Sequence, residues 1–343
     1  DDIRFRSTFS EAVRAPNITE LFQPTTGITS RPADPCDAAQ ISAIAADDPT
    51  RAARIQANCV ADFAAVGLDP FVNGVYSFAD PLSAAFGGVS RGNPGLEEET
   101  AETFSIGFVA QPGFLEGLTV SVDYWSIDIE QAIAQVSDQD IVNACYEGND
   151  LNPLFCDLFT RNADPGSLQF GGFNFIERQV LNFAALETDG IDFSVSYDFN
   201  IGDHGFNARL NGTKVNDLNR FSDPVDRNVV DVELGEVQRP ELAGNFFLTW
   251  MYEGWTVQVQ TLYQDEQLLR FVEIDDAQTL YGNSVFQDAY WQHDLSAAYQ
   301  YNDSLGFFGG IKNVTDEDPF ITDVGYPASP RGRFFFFGVN YAM

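Results

Sequence analysis

Residues 333–343 read Arg333-Phe334-Phe335-Phe336-Phe337-Gly338-Val339-Asn340-Tyr341-Ala342-Met343. Side chains of a strand alternate between two faces. One face therefore carries Phe335, Phe337, Val339, Tyr341 and Met343, and the other Phe334, Phe336, Gly338, Asn340 and Ala342. A strand with one wholly apolar face and aromatics at its rim suits a barrel wall against lipid. As the free edge of a soluble sheet it would be an aggregation hazard. The competing reading is a strand buried in a soluble sandwich, and the rest of the chain decides between them.

The same alternation recurs upstream. Phe104, Ile106 and Phe108 alternate with Thr103, Ser105 and Gly107, and Leu118, Val120, Val122 and Tyr124 with Thr119, Ser121 and Asp123. The clearest case sets Ile191, Phe193, Val195, Tyr197, Phe199 and Ile201 against Asp192, Ser194, Ser196, Asp198 and Asn200. Trp255, Val257, Val259 and Tyr263 oppose Thr256, Gln258 and Gln260, and Leu295, Ala297, Tyr299 and Tyr301 oppose Ser296, Ala298 and Gln300. Each strand has one apolar and one wet face.

The connections separate the two readings. Gln111-Pro112-Gly113, Gly202 to Gly205, Tyr252-Glu253-Gly254 and Asn302-Asp303-Ser304 are tight. Pro16 to Arg91, Ile133 to Phe170, Asn216 to Gln238, Asp265 to Ser284 and Val314 to Arg331 are long. Short and long connections alternate, as periplasmic turns and extracellular loops do in an outer-membrane barrel. The expected fold is thus all-β: an antiparallel transmembrane β-barrel contributing about ten to twelve strands. The segments 16–91 and 133–170 are its long extracellular loops. Asp37 to Val66 is expected to be helical, and Gln131 to Cys145 to carry a helical turn.

Composition supports this. Lys and Arg number 18 against 51 Asp and Glu, a net charge of −33, which argues against nucleic acid as a partner. With 44% hydrophobic residues and 31 Phe, the chain is not a disordered acidic tail. No apolar run approaches the roughly 20 residues of a membrane-spanning helix, but a barrel crosses with about ten residues per strand. Cys36 with Cys59 and Cys145 with Cys156 form two local pairs in loop-like segments. Two loop-stapling disulfides in an oxidising compartment are expected in preference to free thiols. The pattern does not suit zinc, since there is no CxxC and neither His204 nor His293 lies near a cysteine.

No enzyme constellation emerges; neither G-x-S-x-G nor H-E-x-x-H is present. His293-Asp294 is better read as a lumen or rim pair than as an acid and base, and Asp123 and Asp128 likewise. Ligand or lumen contacts are sought at inward positions near loops: Trp125, Arg178, Arg209, Gln258, Gln260, Trp291 and His293. Arg178 and Arg209 could equally neutralise acidic neighbours, and a Trp at a strand end is more often an interfacial anchor. No cofactor is expected. Asp47-Asp48, Asp265-Glu266 and Asp275-Asp276 are candidate Ca²⁺ loops or divalent bridges to lipopolysaccharide, with solvated charge the simpler reading.

Several segments together resemble the C-terminal half of the barrel of a TonB-dependent outer-membrane receptor. They are Phe9 to Phe22 (FSEAVRAPNITELF), Gly92 to Glu99 (GNPGLEEE), Asp123 to Ile129 (DYWSIDI), Glu187 to Asp192 (ETDGID) and Asn313 to Pro319 (NVTDEDP). The set lies in the family's order and covers nearly the whole chain. The resemblance implies a barrel of about 22 strands, of which this chain supplies about half. It implies active uptake of a scarce, large ligand: a ferric siderophore, a cobalamin-like compound or an oligosaccharide. The motifs lean toward receptor groups that include carbohydrate uptake. The partners implied are outer-membrane lipid and lipopolysaccharide, TonB-ExbB-ExbD through a plug domain, the remainder of the barrel, and the barrel assembly machinery. That machinery would read Phe337, Gly338, Val339, Tyr341 and Met343, although the family usually ends in Phe. The plug and the first barrel half are not in this chain. Half a barrel would leave edges in lipid, so the chain is expected to be a piece of a longer polypeptide or one of two completing chains. The rival functions are a passive porin-like or adhesin barrel, and a secreted soluble β-rich sugar-binding domain.

Overall fold

The computed structural model describes residues 2–221, 230–268, 274–318 and 331–342. Ten strands lie on one continuous antiparallel path, each bonded to its sequence neighbour. They are β1 (Ile3–Arg14), β2 (Glu99–Ala110), β3 (Leu118–Gln135), β4 (Val180–Ile201) and β5 (His204–Phe221). β6 (Leu242–Tyr252), β7 (Trp255–Gln264), β8 (Tyr290–Asn302), β9 (Leu305–Lys312) and β10 (Phe334–Tyr341) complete the path. The sheet is open, with β1 and β10 as its two edges, and forms a partial barrel. The terminal Phe-rich segment is β10, in register with β9 from Leu305 opposite Tyr341 to Lys312 opposite Phe334. Met343 lies outside the described residues.

Registry sorts the wall's side chains. Phe5, Phe108, Val122 and Phe193 pair across β1 to β4 and share the apolar face. Phe335 and Phe337 stand on that face, 71% and 74% exposed, where a soluble sheet would have buried them. Arg6, Gly107, Asp123, Asp192 and Thr213 form a row on the opposite, polar face. A single-layer wall between lipid and water has no protein core of its own. The main cluster of buried apolar residues is instead in the loops, joined by Leu181 at the cap end of β4.

Two long connections build that core. Between β1 and β2 run helices at Ile18–Phe22, Ala38–Asp47 and Pro49–Val66. Between β3 and β4 run helices at Asp138–Tyr146 and Pro153–Cys156. Their short strands merge into one four-stranded sheet in the order Thr26–Ser30, Phe86–Ser90, Phe173–Arg178, Phe159–Arg161, the middle pair parallel. Cys36–Cys59 and Cys145–Cys156 are both disulfides, with Cα separations of 5.6 and 4.8 Å. The two loops thus fold as a single cap with a continuous apolar interior that includes Ile55, Phe63, Tyr146, Phe155 and Phe173.

Two expected elements differ. The segment expected as helix from Asp37 to Val66 is two helices, because the Asp48 side chain accepts from the amides of Thr50 and Arg51 and Pro49 starts a new helix. The Gln131–Cys145 turn is divided: residues 131–135 continue β3, and the helix begins only after Ser137 caps it. Among the described residues no helix is long and apolar enough to cross a membrane.

Candidate functional site: the polar wall and the loop cap

The polar face of the wall is organised by a missing side chain. At Gly107 an added Cβ would lie 2.2 Å from Asp123 Oδ1. With no side chain there, Arg6 of β1 reaches across β2. Its Nε donates to Asp123 Oδ1 at 2.6 Å and its Nη2 to Ser121 Oγ at 3.0 Å. Further along the row Thr213 Oγ1 donates to Asp192 Oδ1 at 2.6 Å, and Ser194 Oγ to Asn211 Oδ1 at 3.0 Å. These groups line an open recess of about 570 Å³ that runs to Asn245 and Gln264. Gln264 Oε1 is buried there with no hydrogen-bond partner among the described residues.

Toward β9 the same face holds a second paired charge. Lys312 Nζ lies 2.7 Å from Asp294 Oδ2, and Asp294 Oδ1 accepts from Gln292 Nε2 at 2.9 Å and the Asn313 amide at 2.8 Å. His293-Asp294 is therefore no acid–base pair: adjacent strand residues face opposite ways, and Asp294 is committed to Lys312.

The residues singled out in the sequence are scattered rather than convergent. Trp125 is on the polar face and covers Gly190, where an added Cβ would lie 2.6 Å from the indole. Gln258 and Gln260 share that face, and Gln258 Nε2 donates to Thr249 Oγ1 at 3.0 Å. Arg209 also faces it, opposite Ser196 and Phe247. Among the described residues neither Arg209 nor Arg4 of β1 makes an ion pair, whereas Arg6, Arg14 and Lys312 on that face do.

Trp291 and His293, expected to point inward, do not. They pair with Tyr263 and Thr261 and lie on the apolar face with Leu295. Trp291 is 4.5 Å from the Tyr263 ring, and His293 Nδ1 is 2.9 Å from Thr261 Oγ1. The parity of Ser296 and Gln258 already placed them there. Asp128 is also on the lipid-side parity, opposite Glu102 and Glu187, near the long-loop end.

Arg178 is not on the wall at all. It ends a strand of the cap sheet, donating to Asp138 Oδ1 at 2.9 Å and Oδ2 at 2.6 Å. Burial works against the charged Asp138, but Arg178 and the Ser30 hydroxyl outweigh it and hold the carboxyl below its ordinary range.

The centre of the cap was not visible in the sequence. The Arg161 side chain is 1% exposed and pairs with Asp34 at 2.6 Å and Asp62 at 2.7 Å. Its Nη2 donates to Tyr146 Oη at 2.8 Å, and its guanidinium sits 4.2 Å from the Phe173 ring and 4.8 Å from Phe63. Tyr146 donates to Asp62 Oδ2 at 2.6 Å. Burial, reinforced by the Asp62 and Asp34 charges against the opposing Arg161, pushes the Tyr146 hydroxyl well above its ordinary range. Asp34 and Asp62 are 127 and 99 residues away from Arg161, so no local pattern announces the group.

Among the described residues no group of three or more His, Cys, Asp or Glu side chains converges on a metal-sized point. Asp48 is occupied in capping, and Asp265 accepts from Tyr263 Oη at 3.2 Å. The side chains of Asp275 and Asp276 lie outside the described residues.

An open antiparallel wall with one apolar and one polar face, tight turns at one end and a folded cap at the other, defines a segment of a transmembrane β-barrel. The family profile described as TonB dependent receptor-like, beta-barrel matches residues 1–314, and the chain belongs to that outer-membrane family. A solved ferric enterobactin receptor of Pseudomonas aeruginosa is similar at a TM-score of 0.58 and 14% identity, over 99% of this chain and 38% of its own. The siderophore receptor PirA of Acinetobacter baumannii is similar at 0.54 and 14%, over 99% of this chain and 39% of its own. The chain thus spans well under half the length of these receptors. No curated protein matches it.

Proposed function

We propose that this chain is the C-terminal part of the barrel of an outer-membrane active transporter, with its cap outside the cell, that takes up an anionic iron chelate of the siderophore class. Membership of the TonB-dependent receptor family supports energised transport. TonB-ExbB-ExbD would act through a plug carried elsewhere in the full receptor. The observation that carries the ligand class is the pair Arg4 and Arg209: in a chain of net charge −33 these guanidiniums on the polar face make no ion pair among the described residues. A guanidinium free of carboxylate partners is suited to a delocalised oxygen anion. The siderophore receptors among the structural neighbours agree with that class.

The test is uptake of radiolabelled iron by cells that depend on the full-length receptor under iron limitation. Wild-type uptake should saturate with added ferric siderophore and stop when the proton gradient is collapsed. Replacing Arg209 by Gln should raise the half-saturating concentration about tenfold, the scale of one charge-assisted hydrogen bond. Uptake that ignores the proton gradient would support a passive porin instead. Energised uptake of an oligosaccharide but not of iron would move the ligand class and keep the transporter.

A further inference from the structure

We propose that the Asn73-Gly74 turn of the cap is a site of spontaneous deamidation in the folded receptor, while the identical Asn211-Gly212 pair in the wall is protected. This inference is independent of what the barrel transports. Asparagine followed by glycine occurs twice in the chain, and a glycine in second place leaves its amide nitrogen unshielded by a side chain. The fold decides which of the two pairs can react.

Asn73-Gly74 closes a hairpin between Phe71–Val72 and Val75–Tyr76. Asn73 has a φ of +53° and Gly74 of +78°, the left-handed pair that a two-residue hairpin turn requires and that Asn-Gly satisfies. The arms pair over two residues only, and Val72 and Val75 beside the turn are exposed. A hairpin of that size is marginal in water, so its tip opens at little cost. Among the described residues the Asn73 side chain makes no hydrogen bond. Apart from chain neighbours, none of their atoms stands within 4 Å of the place a Cβ on Gly74 would take. Nothing has to be displaced for the amide of Gly74 to reach the Asn73 side chain.

Asn211-Gly212 lies inside β5, opposite Ser194 and Phe193 of β4 on one side and Asn245 and Gly244 of β6 on the other. In an antiparallel ladder the Gly212 amide is held by one of those neighbours. Asn211 Oδ1 accepts from Ser194 Oγ at 3.0 Å, and an added Cβ on Gly212 would lie 2.4 Å from the Phe193 ring. This pair is fixed, and it must wait for the wall to open.

The chemistry needs only water and hydroxide. Hydroxide takes the Gly74 amide proton, and the nitrogen attacks Asn73 Cγ. A C–N bond forms to close a succinimide ring, the bond to the side-chain nitrogen breaks, and ammonia leaves. Water then opens the ring. Cleavage at Cγ gives aspartate on the normal backbone, and cleavage at the main-chain carbonyl gives isoaspartate. Nothing is oxidised or reduced.

The base of the hairpin is what the product disturbs. The Tyr76 hydroxyl donates to the Cys36 carbonyl at 2.7 Å, the Ser77 amide donates to the Pro70 carbonyl at 2.9 Å, and the Tyr76 ring meets Phe71 edge-on at 5.7 Å. Isoaspartate lengthens the backbone by a methylene inside a two-residue turn, so Val72 can no longer face Val75. Ageing thus undoes the hairpin that holds Tyr76 on the disulfide-bonded Cys36.

The full-length receptor in a mild detergent is kept in mildly alkaline buffer, folded or in urea, then reduced, digested with trypsin and read by mass spectrometry. A heat-shifted gel band checks that the folded sample stays folded. In that sample the peptide Ile55–Arg91 should gain about 1 Da at Asn73. It should do so at least about tenfold faster than Leu210–Lys214 gains it at Asn211, and in urea the two rates should converge. An unchanged Asn73 in the folded protein, or one no faster than Asn211, overturns the assignment. So does a difference that persists in urea, because it would then belong to local sequence and not to the fold. Asn73→Asp, which adds the charge without the methylene, should keep amide-exchange protection over residues 71–77 where isoaspartate-bearing protein loses it. Equal protection in the two would overturn the backbone consequence.

Discussion

Arg161 shows how one residue can hold two loops together. Its guanidinium joins Asp34 and Asp62 from the first long connection to Tyr146 from the second. Removing one partner of a buried pair strands the other charge, at a cost of about 3–5 kcal/mol. Arg161→Leu should therefore unfold the cap, seen as loss of amide-exchange protection in residues 34–66 and 138–161. Arg161→Leu combined with Asp34→Asn should recover part of the loss, because the fully buried carboxylate is then gone and only Asp62, whose side chain is 25% exposed, stays charged there. Tyr146→Phe removes the acceptor of Arg161 and the donor to Asp62 and should cost about 1–3 kcal/mol. The same tyrosine sets an alkaline limit. Its proton is held more tightly in the folded cap than in the open chain, so the stability it contributes is full below pH of about 10 and falls as pH rises beyond that. Asp138 acts in the opposite sense. Its depressed carboxyl contributes stability above the ordinary Asp range, lost as pH falls below it. Absorbance of tyrosinate, followed with cap protection, should show wild-type cap opening at alkaline pH that Tyr146→Phe delays.

At the scale of elements, the wall was legible in the sequence and the cap was not. Period-two alternation is imposed by the pleat, so β4 could be read from Ile191 to Ile201 directly. The alternation falls about ten residues short of the strand, because Leu181 and Phe183 on its first stretch pack against the cap core. The cap sheet escaped notice for a different reason. Its strands are three to six residues long, and Phe86–Ser90 pairs in parallel with Phe173–Arg178, a contact made only by bringing two loops together. The cysteines and the helical stretch from Asp37 to Val66 are the local signs of this unit. Cys36–Cys59 spans 23 residues and Cys145–Cys156 spans 11. In the loop-entropy picture each is worth about 3 kcal/mol, the longer somewhat more. Mild reduction should make the cap sensitive to protease between residues 36 and 59 first, while β1 to β10 stay protected. Simultaneous cleavage of the wall would contradict that separation. The candidate site was only partly legible: Trp125, Gln258, Gln260 and Arg209 could be placed by parity, but nothing in Gly107 foretold that Arg6 would cross it to reach Asp123.

For the whole molecule, the open edges at Ile3–Arg14 and Phe334–Tyr341 are decisive. An unpaired strand edge in hydrocarbon leaves amides and carbonyls without partners, each at a cost of several kcal/mol. The chain expressed alone should fail to give a heat-modifiable monomer in detergent, and the full-length receptor should give one. A stable monomer of 37.9 kDa that conducts ions would mean that these ten strands close on themselves.

The strands differ greatly in length. β3, β4 and β5 run for 18, 22 and 18 residues, whereas β9 and β10 run for 8 each. At roughly 3.3 Å per residue, β4 is about 70 Å long and β10 about 26 Å, close to one crossing of the bilayer. The arc is therefore a palisade of uneven height. Its tall staves, β3 to β5, stand beneath the cap, and the strands at the β9–β10 side are the short ones. On the proposed orientation, with the cap outside the cell, an antibody arriving from above would meet the cap before it reached the short staves.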